Sequence, residues 1–73
     1  MEQILILEDD IALNQGLCKA LKTENRKIVS CETIKAARDQ LLCDCPSLIL
    51  LDINLPDGSG LDFLQELKRN YPT

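Results

Sequence analysis

The chain has 73 residues and a formal net charge of −4, with 45% hydrophobic, 27% charged and 3% aromatic residues. This length allows one small domain, which buries only about 60% of the surface that its unfolded chain exposes. An acidic chain without a basic patch excludes direct nucleic-acid binding by this segment, and its short apolar runs exclude a membrane-spanning helix. The first residues lack the basic start of a signal peptide, so we expect a cytoplasmic protein.

The first half of the chain alternates apolar strands with one amphipathic helix. Residues 3–7 predict a buried strand, and residues 10–23 predict a helix that Asp9 or Asp10 is suited to cap. Residues 27–31 predict a second, weaker strand. Leucines recur every four residues along the helix, and we expect this stripe to belong to the core. The stripe comprises Ile11, Leu13, Leu17, Cys18, Ala20 and Leu21.

The second half repeats the alternation. Residues 33–42 predict a helix that begins with a threonine N-cap, and residues 48–52 predict the strongest strand, apolar on both faces. Residues 56–58, Pro-Asp-Gly, are a turn signal. A third helix is predicted from Ser59 or Gly60 to a stop at Tyr71-Pro72-Thr73. Its core stripe comprises Leu61, Phe63, Leu64 and Leu67.

The order βαβαβα predicts an α/β fold with a parallel sheet joined by right-handed crossovers. If the third strand lies beside the first, the strand order is 2-1-3. Ligands of open α/β sheets bind where the strand order reverses, outside the carboxyl ends of the strands.

Acidic residues follow two of the predicted strands at this edge. Glu8 and Asp9 come after the first strand, and Asp52 ends the third. Like charges in one crevice are costly unless a cation neutralises them, which favours a functional site. Two alternatives remain open. Asp9 or Asp10 serves only to cap the following helix, and Asp52 only marks the end of its strand and has no functional role.

The segments ILILEDD at 4–10 and LILLDINLPDGSGLDFL at 48–64 resemble the receiver domain of bacterial two-component response regulators. The resemblance implies a flavodoxin-like receiver fold, of which residues 1–73 are an incomplete, N-terminal half with strands 1–3 and helices 1–3. It also implies that a sensor histidine kinase or a small acyl phosphate donates a phosphoryl group to the domain in the presence of Mg²⁺.

The resemblance assigns a role to each acid. Asp52 matches the phosphoacceptor, and Asp9 matches the acid that binds Mg²⁺ directly. Glu8 matches the partner that acts through metal-bound water, and Asn54 would offer its backbone carbonyl to the metal. Gly60 matches the loop that follows the phosphoacceptor. The chemistry agrees, because transfer to a carboxylate needs positive charge near the phosphoryl oxygens.

Later parts of a receiver would lie beyond Thr73, among them the hydroxyl residue of strand four and the lysine of strand five. We therefore expect these 73 residues alone to be poorly phosphorylated. The third strand would form an exposed apolar edge, and such edges recruit other chains, so we expect a homo-oligomer. The Glu-Asp form of the acidic pair is common in winged-helix transcription regulators, which implies a DNA-binding output in the longer protein.

Two other functions remain open. One is a receiver-shaped interaction module that works without phosphorylation, although the intact acids argue against it. The other is a hydrolase with Asp52 as nucleophile, like haloacid-dehalogenase phosphatases. Those enzymes need an aspartate two residues after the nucleophile, where this chain has Asn54, so we expect that the protein is not an enzyme.

Overall fold

The computed structural model describes residues 2–71 and contains three helices and five strands within that range. In chain order, the elements are β1 (Glu2–Leu7), α1 (Ile11–Leu21), β2 (Arg26–Cys31), α2 (Ile34–Cys43), β3 (Leu48–Leu51), β4 (Asn54–Leu55), β5 (Gly58–Ser59) and α3 (Gly60–Asn70). The predicted order of long strands and helices is confirmed. The structure adds the short β4–β5 hairpin. The predicted stop of the third helix is confirmed at Tyr71, which is the C-cap of α3, while Pro72 and Thr73 lie outside the described residues.

The main sheet is parallel, with the strand order β2-β1-β3. The central strand β1 pairs with β2 in the register Ile4 to Ile28, and with β3 in the register Ile4 to Leu48. Residues 4–7 of β1 are completely buried because strands flank them on both sides and helices cover both faces. The predicted α/β fold and the order 2-1-3 are confirmed.

The hydrophobic core lies on the face of the sheet that α2 and α3 cover. Alternate side chains of β1 point to this face, where they meet the inner surfaces of both helices. The cluster consists of Leu5, Leu7, Cys31, Ile34, Ala37, Leu41, Phe63 and Leu67.

The prediction that the leucine stripes belong to the core is wrong at their margins. In α1, Ile11 and Leu13 are exposed, while Leu17 is half-buried, and the one buried side chain is Asn14. In α3, Leu61 is 54% exposed and Leu64 is 37% exposed. Each stripe is wider than the strip of the helix that touches the sheet, and no other described element covers its outer flank.

Side-chain oxygens cap all three helices. Asp10 accepts a hydrogen bond from the Leu13 amide at 3.1 Å, and Thr33 accepts one from the Ala36 amide at 3.1 Å. Ser59 accepts one from the Leu61 amide at 3.2 Å. These bonds satisfy amides that a helix start leaves without partners, and they confirm the predicted start of each helix.

Candidate functional site

Three carboxylates meet at the carboxyl edge of the sheet. Glu8 and Asp9 follow β1, and Asp52 follows β3, so the parallel pairing of these strands brings them to one place. One oxygen from each residue lies within 4.8 Å of the others. The structure therefore unites three of the four residues for which the sequence predicts a role in the site.

Backbone hydrogen bonds fix the strand ends that carry these acids. The amide of Asp52 donates to the Leu7 carbonyl at 3.0 Å, and the amide of Glu8 donates to the Cys31 carbonyl at 3.0 Å. Glu8 and Asp52 are half-buried and Asp9 is exposed. A groove of about 330 Å³ on the α1 side of the sheet opens onto Glu8 and Asp52. The acids are thus held in place, yet a solute can reach them.

The cluster is electrostatically unfavourable in the absence of a cation. Burial raises the pKa of the Glu8 carboxyl above its usual range, and the neighbouring Asp52 and Asp9 carboxylates add to the rise. The amide of Asp10, 3.3 Å from Oε2 of Glu8, acts in the opposite direction. Like charges oppose full ionisation of such a group, and a bound cation removes this opposition. Three oxygen donors suit a hard cation such as Mg²⁺.

Asn14 supports the site from the inner face of α1, a role that the sequence patterns did not predict. Its amide nitrogen donates to the Glu8 carbonyl at 2.9 Å and to the Cys31 carbonyl at 3.1 Å. Its oxygen accepts from the Ser30 hydroxyl at 2.6 Å. Only 3% of Asn14 is exposed, so these bonds satisfy a polar group that would be costly to bury unpaired. Its position one helical turn before Leu17, on the inward face, was the signal that could have revealed it.

The fourth predicted residue, Asn54, begins the β4–β5 hairpin two positions after Asp52. Its side chain is exposed, and its backbone pairs with Ser59 across the hairpin. The amide of Gly60 donates to the Ile53 carbonyl at 2.7 Å and closes the base of the loop. A side chain at Gly60 would overlap the carbonyl of Asp52. The first residue of α3 therefore packs against the backbone of Asp52.

Asp57 lies at the tip of the same hairpin. The predicted turn over 56–58 is confirmed, but the carboxylate of Asp57 also bonds to the start of α2. It accepts hydrogen bonds from the amides of Ile34 at 2.9 Å and Lys35 at 3.1 Å. These bonds lower the pKa of the Asp57 carboxyl, and the bond from the Ile34 amide has the largest effect. Asp57 lies 23 positions after Ile34 and 22 positions after Lys35. No local pattern in the sequence predicts a contact over this separation.

Comparison with known proteins gives consistent matches. Residues 4–73 match the sequence profile of the response regulator receiver domain family. The transcriptional regulatory protein BasR of Escherichia coli (strain K12) is 42% identical over 71 residues, which are 97% of this chain and 32% of BasR. The non-phosphorylated HemR receiver domain from Leptospira biflexa has a TM-score of 0.87 at 28% identity, covering 97% of this chain and 57% of that chain.

A third protein, the Mn²⁺-bound form of response regulator Rcp1, has a TM-score of 0.83 at 31% identity. That match covers 97% of this chain and 58% of Rcp1. This chain thus spans about a third of BasR and somewhat more than half of the two solved structures. Within residues 2–71, no helix is both long and apolar enough to cross a membrane. The profile match, the shared sequence and the shared fold agree: the chain belongs to the family of response regulator receiver domains.

Proposed function

We propose that this chain is the phosphoacceptor module of a two-component signalling system, and that Asp52 receives the phosphoryl group from a sensor histidine kinase. The observation that carries the proposal is the convergence of Glu8, Asp9 and Asp52 within 4.8 Å in a receiver fold. A carboxylate oxygen of Asp52 forms a bond to phosphorus while the bond from phosphorus to the donor histidine nitrogen breaks. The product is an acyl phosphate, which water later hydrolyses.

The residues present fit a divalent cation. Asp9 and Asp52 would bind Mg²⁺ directly, Glu8 would act through metal-bound water, and Asn54 would add its backbone carbonyl. Mg²⁺ keeps several waters and needs only a few protein oxygens. When bound, it supplies the positive charge that offsets the phosphoryl oxygens. The related Rcp1 structure is a Mn²⁺-bound form, and this supports a divalent-metal site in the present chain.

The wider role follows from the relatives and is equally a proposal. BasR is named a transcriptional regulatory protein, which supports a DNA-binding output in a longer protein that contains this segment. The segment itself would act in the cytoplasm as a signalling module and not as an enzyme. We also propose that it self-associates through β3, which has no strand paired to its outer side within residues 2–71.

Acyl-phosphate labelling tests the phosphoacceptor proposal. The longer protein that contains this segment is incubated with acetyl phosphate and Mg²⁺ and then analysed on a phosphate-binding gel. We expect a shifted band in the wild type and no shift in Asp52→Asn, because the amide is a poor nucleophile. Asp44→Asn is the matched control and should shift like the wild type, since Asp44 follows the far end of α2.

Labelling that persists in Asp52→Asn would refute the assignment. An absence of labelling in the wild type would favour the alternative, an interaction module that works without phosphorylation. The expectation that the 73 residues alone are labelled slowly can be checked in the same gel.

A further inference from the structure

The β4–β5 hairpin connects the metal-binding edge to a distant helix. Asn54 begins the hairpin, and Asp57 lies at its tip. The Asp57 carboxylate accepts two hydrogen bonds from the first two amides of α2, at 2.9 Å from Ile34 and 3.1 Å from Lys35. The hairpin tip is therefore attached to a part of the chain that does not belong to the metal site.

The start of helix α2 also has a cap from its own segment of the chain, so the bonds from Asp57 are not needed to begin the helix. Thr33 accepts a bond from the Ala36 amide at 3.1 Å, which is the ordinary way to satisfy a helix start. The Ile34 and Lys35 amides belong to the same group of unpaired donors, and solvent could satisfy them. The Asp57 carboxylate of the hairpin accepts hydrogen bonds from these two amides instead. Its negative charge and the dipole of α2 strengthen both bonds.

Close packing accompanies the hydrogen bonds. A side chain at Gly58 would approach Cδ1 of Ile34 to 2.9 Å, so the backbone of the hairpin lies directly against α2. At the other end, the amide of Gly60 donates to the Ile53 carbonyl at 2.7 Å, next to Asp52. The hairpin is thus fixed at its base by α3 and at its tip by α2.

We propose that Asp57 is a positioning residue for the divalent cation: its bonds to α2 hold in place the hairpin that carries the Asn54 carbonyl, which would bind the metal. The inference rests on the proposed function, because it concerns the same cation. Removal of the carboxylate frees the tip, and the carbonyl then has to be ordered at the moment of binding. That ordering lowers the affinity, since a preorganised ligand costs less entropy to engage.

Mn²⁺ titration of the full 73-residue chain, with free Mn²⁺ measured by electron paramagnetic resonance, tests the inference. We expect Asp57→Ala to raise the Kd roughly tenfold, at the lower end of what outer-shell substitutions cause. Asp57→Asn keeps an acceptor for one of the two amides, so its Kd should lie between those of wild type and Asp57→Ala. Asp52→Asn removes a direct ligand and should show the largest loss.

Two controls separate positioning from general destabilisation and from loss of charge. Thr33→Ala removes a cap of the same helix without touching the hairpin, so it should lower the thermal midpoint yet leave the Kd within about twofold. Asp39→Asn removes an exposed acid of α2 that pairs with Lys35, so it reports the effect of one negative charge and should also leave the Kd nearly unchanged.

The outcomes are distinct. A wild-type Kd in Asp57→Ala, with binding lost in Asp52→Asn, overturns the inference and leaves the proposed function standing. An equal loss in Thr33→Ala or Asp39→Asn also overturns it. Wild type that does not bind Mn²⁺, or Asp52→Asn that binds it normally, contradicts the proposed metal site and the inference with it. If Asp57→Ala does not fold by circular dichroism, Asp57→Asn decides, and an unchanged Kd there overturns the inference.

Discussion

At the scale of single residues, Gly60 and Gly16 occupy opposite environments. Gly60 begins α3 against the backbone of Asp52, and a Cβ there would also lie 2.9 Å from the Cα of Ile53. Gly16 lies within α1, and a Cβ there would meet nothing within 4 Å. The same substitution by alanine should therefore have opposite effects at the two positions.

Gly60→Ala should destabilise the domain by about 1–3 kcal/mol, the usual cost of forcing an extra group into a packed position. Gly16→Ala is the matched control, and it should stabilise the domain by up to about 1 kcal/mol because alanine is the better helix former. Urea unfolding followed by circular dichroism measures both. Equal or greater stability in Gly60→Ala would contradict the close approach to Asp52.

Residue types near the strand ends were enough to predict Glu8, Asp9 and Asp52 as one group, because the carboxyl ends of neighbouring parallel strands share an edge. The contacts of Asp57 and Asn14 were not predictable in the same way. Local spacing places Asn14 on the inward face of α1, but the partners of both residues are remote backbone amides and carbonyls, whose positions neither residue type nor local spacing encodes.

At the scale of elements, α2 and α3 are joined across the core face by a two-bond ion pair. Arg38 donates to the two carboxylate oxygens of Glu66 at 2.9 and 2.8 Å, and its guanidinium lies 5.8 Å from the centre of the Phe63 ring. The hydrogen bonds from Arg38 lower the pKa of the Glu66 carboxyl. The junction therefore depends on an ionised glutamate.

The junction should weaken in acid. A carboxyl whose folded pKa lies below its unfolded value adds stability above the unfolded pKa, and the addition is lost as the pH falls through the folded pKa. The difference in unfolding free energy between wild type and Glu66→Gln should thus be greatest near neutral pH and shrink below about pH 4. A constant difference between wild type and Glu66→Gln would contradict the ion pair.

The long elements were predictable because their apolar periods are strong, whereas the β4–β5 hairpin was not. Two-residue strands are too short to display a period of two, and only the Pro-Asp-Gly turn signal marked their place. For α1 and α3, the sequence predicted a buried face that is wider than the one observed. The reason is that the sequence does not reveal how much of a leucine stripe is covered by a neighbouring element.

At the scale of the whole molecule, β2 and β3 are both edge strands of the sheet within residues 2–71, and the edge at β3 adjoins an apolar groove. Leu48 of β3 is 49% exposed, and a groove of about 380 Å³ runs beside it between the end of α2 and α3. The outward amides and carbonyls of β3 and this apolar surface form an edge on which a second copy of the chain can pair.

Sedimentation velocity tests self-association through this edge. Wild type should sediment as a dimer or larger species, and Leu48→Lys should move it to a monomer, because a lysine on an edge strand opposes pairing. Leu42→Lys changes another exposed leucine, on α2 and outside the groove, and should leave the sedimentation unchanged. A monomeric wild type would contradict the proposal.

The parallel pairing of β1 also has a consequence for synthesis on the ribosome. Glu2 pairs with Arg26 and Ile4 pairs with Leu48, so both partners of the first strand are made long after it. Closing such long loops delays the sheet relative to the local helices. Until residue 51 has left the exit tunnel, the buried side chains of residues 4–7 have only one neighbouring strand, and a chaperone that binds exposed aliphatic segments would find them there.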